Sequence, residues 1–190
     1  MQAPINTSAL LITALLSSAA AQAENWTGHS SLLLGSKQIE EAHWAKDDEH
    51  GAIGVIIDFR KEGWPVSIAV DLFGTGSERT VAGDKHETYT AEAHLGIRKV
   101  FDITDCRIHP YVGGGIAISN VEQQDRIEGV TRSHSDGDSS GWAGAGAYIE
   151  VSPRFTLGVD LRYSEAKVRL LDNAVDASGT LAGFTAGYHW

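Results

Sequence analysis

The residues best suited to covalent chemistry lie near the end of the chain. Ser164 and Glu165 are adjacent, and a serine becomes a nucleophile when a histidine base and an orienting acid stand beside it. His29 and His94 are distant in the sequence and would reach Ser164 only through the fold. Because the local pattern lacks the histidine, the sequence predicts a non-enzymatic protein with no catalytic residues.

Histidines and carboxylates also crowd three polar segments. They are His43, Asp47, Asp48, Glu49 and His50; Asp84, His86 and Glu87; and His134, Asp136 and Asp138. Carboxylate oxygens suit calcium or magnesium, and imidazoles suit zinc. No spacing here matches a defined metal site, and Asp136-Gly-Asp138 lacks the rest of a calcium loop. We therefore predict solvated acidic loops, with no metal ion and no other cofactor.

The first residues have the pattern of an export signal. Ala9 to Ala20 is almost wholly apolar and is followed by the small-x-small cleavage pattern Ala21-Gln22-Ala23. This stretch is too short for a membrane helix, which needs roughly 20 apolar residues. We predict that residues 1–23 are a cleaved signal peptide and that residues 24–190 form one domain. The single cysteine, Cys106, excludes an internal disulfide, and we expect a free thiol.

The charge of the chain limits its partners. Its formal net charge is -10, which argues against nucleic acid because little is left to neutralise phosphates. After the signal peptide, no apolar stretch is long enough for a membrane helix. If this chain spans a membrane, it must do so as a closed β-barrel, the other structure that satisfies every backbone polar group in lipid.

Alternation with a period of two recurs through the mature chain. In Phe155–Tyr163 every odd residue is apolar and every even one is small or polar, which is typical of a strand with two different faces. The predicted strands lie near 26–35, 53–60, 66–72, 91–98, 111–118, 142–151, 155–163 and 180–190. Their number and length predict an all-β protein, an eight-stranded antiparallel up-and-down transmembrane barrel.

The predicted connections alternate in length. Compact turns follow strands two, four and six, at Lys61–Pro65, Asp102–Ile108 and Ser152–Arg154. Longer polar loops follow strands one, three, five and seven, at Ser36–His50, Gly74–His86, Asn120–Ser140 and Arg169–Ser178. Short turns at one end and long loops at the other are typical of outer-membrane barrels, whose long loops face the outside of the cell.

The polar faces of the strands carry many glycines and most of the charged groups. An eight-stranded barrel has little room beyond its own side chains, so we predict that the glycine-rich polar face points inward and the bulky apolar face points to lipid. The predicted luminal polar network is Asp58, Arg60, Asp71, Glu92, His94, Arg98, Tyr111, Tyr148, Glu150, Asp160 and Arg162. Buried charges persist only when paired, so we expect ion pairs that close the lumen.

Four segments carry a resemblance to a known family: Pro110–Ile116, Gly141–Ala147, Phe155–Tyr163 and Gly183–Trp190. Together they resemble the small outer-membrane β-barrel family, which includes the OmpA transmembrane domain, OmpX/Ail, OmpW and the opacity-like surface proteins. The resemblance implies a protein of the bacterial outer membrane, surrounded by its lipid and lipopolysaccharide. It also implies insertion by the outer-membrane assembly machinery, which reads the final strand, here through Phe184, Tyr188 and Trp190.

Three functions are compatible with this resemblance. The first is a non-enzymatic barrel with four surface-exposed loops that bind an extracellular ligand or maintain the envelope. The second is a narrow channel for small solutes. The third, disfavoured because Tyr163 stands where a deacylase pattern would place histidine before Ser164, is a lipid A-modifying enzyme. Divalent bridging from the acidic loops to lipopolysaccharide phosphates stays a hypothesis, against which unchanged thermal stability in EDTA would count.

Overall fold

The computed structural model describes residues 25–40, 49–81, 84–103, 106–127, 130–170 and 173–190. Within these ranges every regular element is a β-strand. The strands are β1 (Trp26–Ile39), β2 (Glu49–Lys61), β3 (Ser67–Val81), β4 (Asp84–Val100), β5 (Ile108–Ile127), β6 (Val130–Glu150), β7 (Phe155–Ser164), β8 (Lys167–Leu170), β9 (Asn173–Asp176) and β10 (Gly179–His189). In this part of the chain no helix is long and apolar enough to cross a bilayer.

Eight strands close into one barrel, and two form a separate hairpin. Around the barrel the order is β1-β10-β7-β6-β5-β4-β3-β2, with every neighbouring pair antiparallel. The last strand pairs with the first, from His29↔His189 to Ile39↔Gly179. The predicted fold class, an eight-stranded antiparallel up-and-down barrel, is confirmed.

The alternation of the sequence becomes an inside and an outside. On β7, Leu157 and Leu161 are exposed on the outer wall, whereas Thr156, Asp160 and Arg162 are buried in the lumen. The outer wall therefore carries an apolar belt. Its exposed members include Leu32, Leu34, Ile53, Leu72, Leu95, Ile97, Val112, Ile116, Ile118, Ile149, Leu157, Val159, Leu161 and Phe184. A soluble barrel has the reverse arrangement, with its bulky apolar side chains inside.

The three compact turns lie at the end of the barrel that holds both termini. They fall between β2 and β3, between β4 and β5, and between β6 and β7, as the sequence predicts. In the first of them Gly63 has a φ of 81°, a left-handed conformation that glycine adopts without steric cost. The aromatic rings of Trp26, Phe59 and Trp64 pack together beside this turn, with centroids 5.9 and 5.7 Å apart.

The predicted long loops at the opposite end are mostly strand, which corrects the sequence analysis. Gly74–His86 continues the β3–β4 hairpin up to the pair Val81↔Asp84. Asn120–Ser140 continues the β5–β6 hairpin up to Ile127↔Val130. Arg169–Ser178 contains most of the β8–β9 hairpin. In the first predicted loop, β1 runs on to Ile39 and residues 41–48 lie outside the described residues.

These hairpins form one sheet that rises beyond the barrel. The β4–β5 ladder joins them as far as Lys85↔Arg126, whereas the β2–β3 ladder reaches only Gly51↔Gly76 and the β6–β7 ladder only Trp142↔Ser164. The wall thus continues on one side as a four-stranded sheet of residues 75–81, 84–90, 119–127 and 130–140, here called the projecting sheet. The β8–β9 hairpin adjoins it, since the Lys167 backbone N–H donates to Asp138 Oδ2 at 2.8 Å.

Candidate functional site in the barrel lumen

The centre of the lumen holds an arginine between two aspartates. Arg98 on β4 points inward, because alternate residues of this strand, such as His94, are buried in the lumen. Its Nη1 donates to Asp58 Oδ2 at 3.0 Å, and its Nη2 donates to Asp71 Oδ2 at 2.7 Å. Side chains from β2, β3 and β4 are therefore linked in the interior. Burial strengthens such charge-assisted bonds and makes the loss of any partner costly.

A second arginine crosses the lumen to the same carboxylate. Arg162 on β7 donates from Nη1 to Asp71 Oδ2 at 2.9 Å. Its Nε and Nη2 also grip both oxygens of Asp160, at 2.7 and 2.9 Å. The Tyr111 hydroxyl donates to Asp160 Oδ2 at 2.6 Å. Arg162 is thus held by a bidentate pair on its own strand and by a single bond to the facing strand.

Aromatic rings complete the packing around this guanidinium. The Arg162 Cζ lies 4.2 Å from the centroid of Phe73 and 5.3 Å from that of Trp142, within the range of cation–π attraction. The His94 ring stacks on Trp142, with centroids 5.3 Å apart and an interplanar angle of 15°. The Trp142 indole N–H donates to the Leu95 carbonyl at 3.3 Å. These rings surround the Arg162 guanidinium at this level of the barrel.

His94 and Glu92 extend the network towards the projecting sheet. Arg162 Nη1 lies 3.3 Å from His94 Nδ1. Since a guanidinium can only donate, Nδ1 accepts, and Nε2–H then donates to Glu92 Oε2 at 2.9 Å. His94 thereby links the Arg162 guanidinium to the Glu92 carboxylate. The Glu92 carboxylate also pairs with the Lys37 ammonium of β1, which donates to Ser164 Oγ at 3.1 Å.

At the end of the barrel that holds both termini, stacked aromatic and imidazole rings replace the ion pairs. The His29 and His109 rings stack on Tyr148, with centroid distances of 4.8 and 5.1 Å. His29 Nδ1 lies 3.8 Å from Asp58 Oδ2, which connects the stack to the central ion pairs. His109 Nε2 lies 3.4 Å from Glu150 Oε1 at the rim. The three rings thus lie together at this mouth of the barrel.

The predicted network residues fall into three groups. Those joined in the central network are Asp58, Asp71, Glu92, His94, Arg98, Tyr111, Asp160 and Arg162. Tyr148 and Glu150 belong to the ring stack and its rim. Arg60 is half-buried near the end of β2, and no described carboxylate lies within ion-pair distance of it.

Sequence reasoning missed several members of the network. Lys37 was predicted to lie in a loop after Gly35, but β1 continues to Ile39 and places it inside. Phe73 follows the predicted end of the third strand at Leu72, and extending the alternation by one residue would have found it. The sequence marks Ser164 only as a candidate nucleophile, whereas its hydroxyl donates to Glu92 Oε2 at 2.8 Å. It marks His29 only as a candidate base for that serine, whereas the His29 ring stacks on Tyr148.

The charges of the central network do not balance. It holds the carboxylates Asp58, Asp71, Glu92 and Asp160 and the cations Lys37, Arg98 and Arg162. Four carboxylates thus face three Lys or Arg cations, with the His29 and His94 rings beside Asp58 and Glu92. Glu92 has three partners, on Lys37, His94 and Ser164, so its negative charge is well solvated by the protein.

Metal binding was predicted to be absent from the acidic segments. Among the described residues, no group of three or more His, Cys, Asp or Glu side chains is arranged to hold a metal ion. His43, Asp47 and Asp48 lie outside the described residues, as do the side chains of Asp84, His86 and His134. For those segments the absence of a metal stays a prediction.

The end of the chain closes the barrel wall on its outer side. Gly28 and Trp190 exchange backbone N–H···O bonds of 3.1 Å in both directions. The indole ring of Trp190 lies over Gly28, where a Cβ would come within 2.8 Å of Cη2. Tyr188 packs edge-on against Phe155 at 5.6 Å and accepts a hydrogen bond from Arg154. Phe184 is 76% exposed on the apolar belt.

A closed barrel with a charged interior and an apolar outer belt defines an outer-membrane β-barrel protein. Consistent with this, residues 7–189 match the family described as outer membrane protein beta-barrel domain. The chain belongs to this family and is a protein of the bacterial outer membrane. No curated protein matches the sequence.

Solved structures share the fold at low sequence identity. Ail of Yersinia pestis, crystallised with the heparin analogue sucrose octasulfate, is 14% identical with a TM-score of 0.64, covering 87% of this chain and 99% of Ail. A major outer membrane protein of Thermus thermophilus is 9% identical with a TM-score of 0.61, over 87% of this chain and 99% of that one. Neisserial surface protein A is 14% identical, with a TM-score of 0.52 over 87% and 96%. These likenesses establish the fold alone.

Proposed function

We propose that this protein is a non-enzymatic, non-conducting outer-membrane barrel that acts at the cell surface through its projecting sheet. The observation that carries the proposal is the continuation of β3–β6 beyond the apolar belt while the rest of the wall ends. The last outward apolar side chain on β5 is Ile118, and β5 runs on to Ile127. At about 3.3 Å per residue this places roughly 30 Å of strand past the belt.

The ion pairs across the lumen support the non-conducting part of the proposal. Arg162 bridges β7 to β3, and Lys37 bridges β1 to β4. Around the barrel β7 and β3 are diametrically opposite, and β1 and β4 are separated by β2 and β3. Solute passage would have to break buried ion pairs, each of which is costly to separate. We expect no discrete conductance steps after residues 24–190 are refolded from urea into planar lipid bilayers. Reproducible steps would contradict the closed lumen and favour the narrow-channel alternative.

The surroundings of Ser164 support a non-enzymatic role. Its hydroxyl donates to the Glu92 carboxylate and accepts from Lys37, so no described histidine is placed to take its proton. The residue is 3% exposed, and a lipid acyl bond on the outer wall could not reach it. An unchanged lipid A mass spectrum in a deletion strain is the expected result; a changed acyl pattern would favour the lipid A-modifying alternative.

The chemistry of the projecting sheet limits its ligand. The sheet carries seven carboxylates and four Lys or Arg residues, a formal excess of three negative charges, and the whole chain has a net charge of -10. The carboxylates are Glu78, Asp84, Glu87, Glu122, Asp125, Asp136 and Asp138, and the cations are Arg79, Lys85, Arg126 and Arg132. Ail was crystallised with a polyanionic heparin analogue. An acidic sheet disfavours such a ligand through like-charge repulsion. We expect instead a neutral or basic extracellular partner.

Trimming the sheet tests the surface role. Replacing residues 123–134 by Asn-Gly leaves the pair Glu122↔Ser135 to close a two-residue hairpin turn. The matched control replaces residues 168–175 by Asn-Gly, which leaves Lys167↔Asp176 and keeps the sheet. Cells with the first variant should lose adherence to host cells or matrix, and cells with the control should keep it. If both variants adhere like wild type, the surface role of the projecting sheet is contradicted. The same holds if the trimmed barrel fully restores detergent resistance to a deletion strain, because the role then lies in the barrel and the envelope.

A further inference from the structure

Two histidines face each other at the seam where the first and last strands meet, at the end of the barrel that holds both termini. His29 on β1 is paired with His189 on β10, and both side chains point inward, with ring centroids 4.6 Å apart. The next pair, Gly28 and Trp190, exchanges both backbone hydrogen bonds. His29 and His189 therefore form a non-hydrogen-bonded pair, the kind in which opposed side chains come closest.

Contacts with three strands hold the His29 ring in place. It is 5% exposed, and its Nε2 lies 2.9 Å from Thr156 Oγ1 on β7. One face stacks on Tyr148 of β6, with ring centroids 4.8 Å apart. A Cβ on Gly187 of β10 would come within 2.5 Å of Nε2, so the ring lies directly against that strand. The ring could move away from His189 only by giving up these contacts.

The two histidines differ in their counter-charges. His29 Nδ1 lies 3.8 Å from Asp58 Oδ2, so a proton on this ring would face a carboxylate. Among the described residues, no carboxylate lies within ion-pair distance of His189, and its buried Nε2 has no hydrogen-bond partner. A proton on His189 would therefore meet the His29 ring and no counter-charge of its own.

The other charged groups at this mouth are already engaged. His109 on β5 lies between two carboxylates, with Nδ1 3.2 Å from Asp102 Oδ1 and Nε2 3.4 Å from Glu150 Oε1. Asp58 accepts a hydrogen bond of 3.0 Å from Arg98. The titratable and charged groups around the pair are Asp58, Arg60, Arg98, Asp102, His109, Tyr148 and Glu150. Because Arg98 and His109 engage the carboxylates, little negative charge is left to offset two charged imidazoles at the seam.

We propose that His29 and His189 form an acid-sensitive switch in the seam of the barrel. At neutral pH the two imidazoles are uncharged and pack against each other. Histidine changes its charge between about pH 8 and 5, so in acid both rings take up protons. Like charges directly opposite each other on paired strands repel. The repulsion loosens the pairing of β1 with β10 at the end with the short turns, which in outer-membrane barrels faces the periplasm.

The direction of the pH effect follows from the number of protons bound. Repulsion makes the folded state bind fewer protons at this pair than the unfolded chain, in which the two imidazoles are far apart. When the unfolded state binds more protons, the free energy of unfolding decreases as the pH falls. The loss should begin near the ordinary histidine value of about 6.5, well above the range of about 4 in which carboxylates titrate.

Urea midpoints in lipid vesicles at about pH 7.5 and 5.5, which bracket the histidine range, test the proposal. His189→Gln removes one member of the pair and keeps a polar side chain. His109→Gln is the matched control, because it removes an imidazole of the same mouth that faces carboxylates. Wild type and His109→Gln should have a lower midpoint in acid, whereas His189→Gln should have nearly the same midpoint at both pH values.

Hydrogen exchange, corrected for its intrinsic pH dependence, locates the effect. Wild-type protection at Gly28 and Trp190 should fall about tenfold in acid, since close like charges repel even at an effective dielectric constant of about 20. Protection in the β5–β6 ladder should not change. If His189→Gln fails to fold, His29→Gln decides, because it removes the other member of the pair. The proposal is overturned if the wild-type midpoint stays constant or rises in acid, if His189→Gln loses as much as wild type, or if protection falls equally in both ladders.

Discussion

The Arg162 guanidinium and the Asp71 carboxylate lie 2.9 Å apart, although their strands, β7 and β3, stand on opposite sides of the barrel. Asp71 is also the carboxylate that Arg98 binds from β4. One carboxylate therefore connects three strands through the middle of the lumen. The ion pairs both occupy the interior and tie its walls together.

Removing the arginine should expose this dependence. Arg162→Met leaves Asp71 and Asp160 short of a cation inside the barrel, and we expect the free energy of unfolding to fall by about 3–5 kcal/mol. Urea titration in lipid vesicles, followed by tryptophan fluorescence, measures the change. Arg60→Met is the control and should cost less than about 1 kcal/mol. A similar loss for the two variants would contradict a special role for the central pair.

Lys37 and Glu92 should prove coupled. Lys37→Met strands a buried carboxylate, and Glu92→Gln strands a buried ammonium, so each should destabilise the barrel by roughly 3 kcal/mol. The double variant removes both charges. It should lose less than the sum of the single losses, with a coupling energy of about 1–3 kcal/mol. Strict additivity in the same urea titration would mean that the pair does not form.

Two glycines of the barrel wall, Gly115 on the inward face of β5 and Gly141 on the outward face of β6, should respond oppositely to one methyl group. A Cβ on Gly115 would lie 2.6 Å from the Gly96 Cα, so Gly115→Ala should lower the free energy of unfolding by about 1–3 kcal/mol. On Gly141 the nearest atom is 3.9 Å away. Gly141→Ala should therefore be neutral or stabilise by about 0.4–1 kcal/mol. The denaturation midpoints of the two variants are compared in one lipid composition. Equal midpoints would show that a methyl group on Gly115 fits between β4 and β5 without destabilising the barrel.

The final strand is proposed to serve assembly as well as closure. Trp190→Ala uncovers Gly28 and removes the terminal aromatic. We expect several-fold less heat-modifiable protein in outer-membrane fractions of cells, and near-normal refolding from urea into vesicles. Phe101→Ala is the control, an exposed aromatic in a turn at the same end. Equal losses of folded protein in cells and in vesicles would show that Trp190 contributes to stability and not to assembly.

Sequence periodicity predicted the barrel well where the strands have two different surroundings. Within the belt one face meets lipid and the other meets charges, so alternation marks residues such as Leu161 and Arg162 clearly. Beyond the belt the outward face no longer meets lipid and carries polar residues, so the contrast between the two faces disappears. Gln123-Gln124-Asp125 is polar throughout, although it continues β5. The projecting sheet was therefore predicted as loops.

Which side chains pair within the lumen depends on the register of the strands around the closed barrel. Sequence places Lys37 and Glu92 on distant strands, and only the closure of β1 on β10 and the order of the remaining strands bring them face to face. The inward direction of Asp71 could be inferred from alternation. Its shared use by Arg98 and Arg162 could not, because that depends on the three-dimensional stagger of β3, β4 and β7.

The excess of one carboxylate over the cations of the central network has a consequence for permeation. A brief opening would expose more carboxylates than Lys or Arg side chains of this network, and a path of that kind attracts cations and repels anions. We therefore expect any leak through this barrel to favour cations.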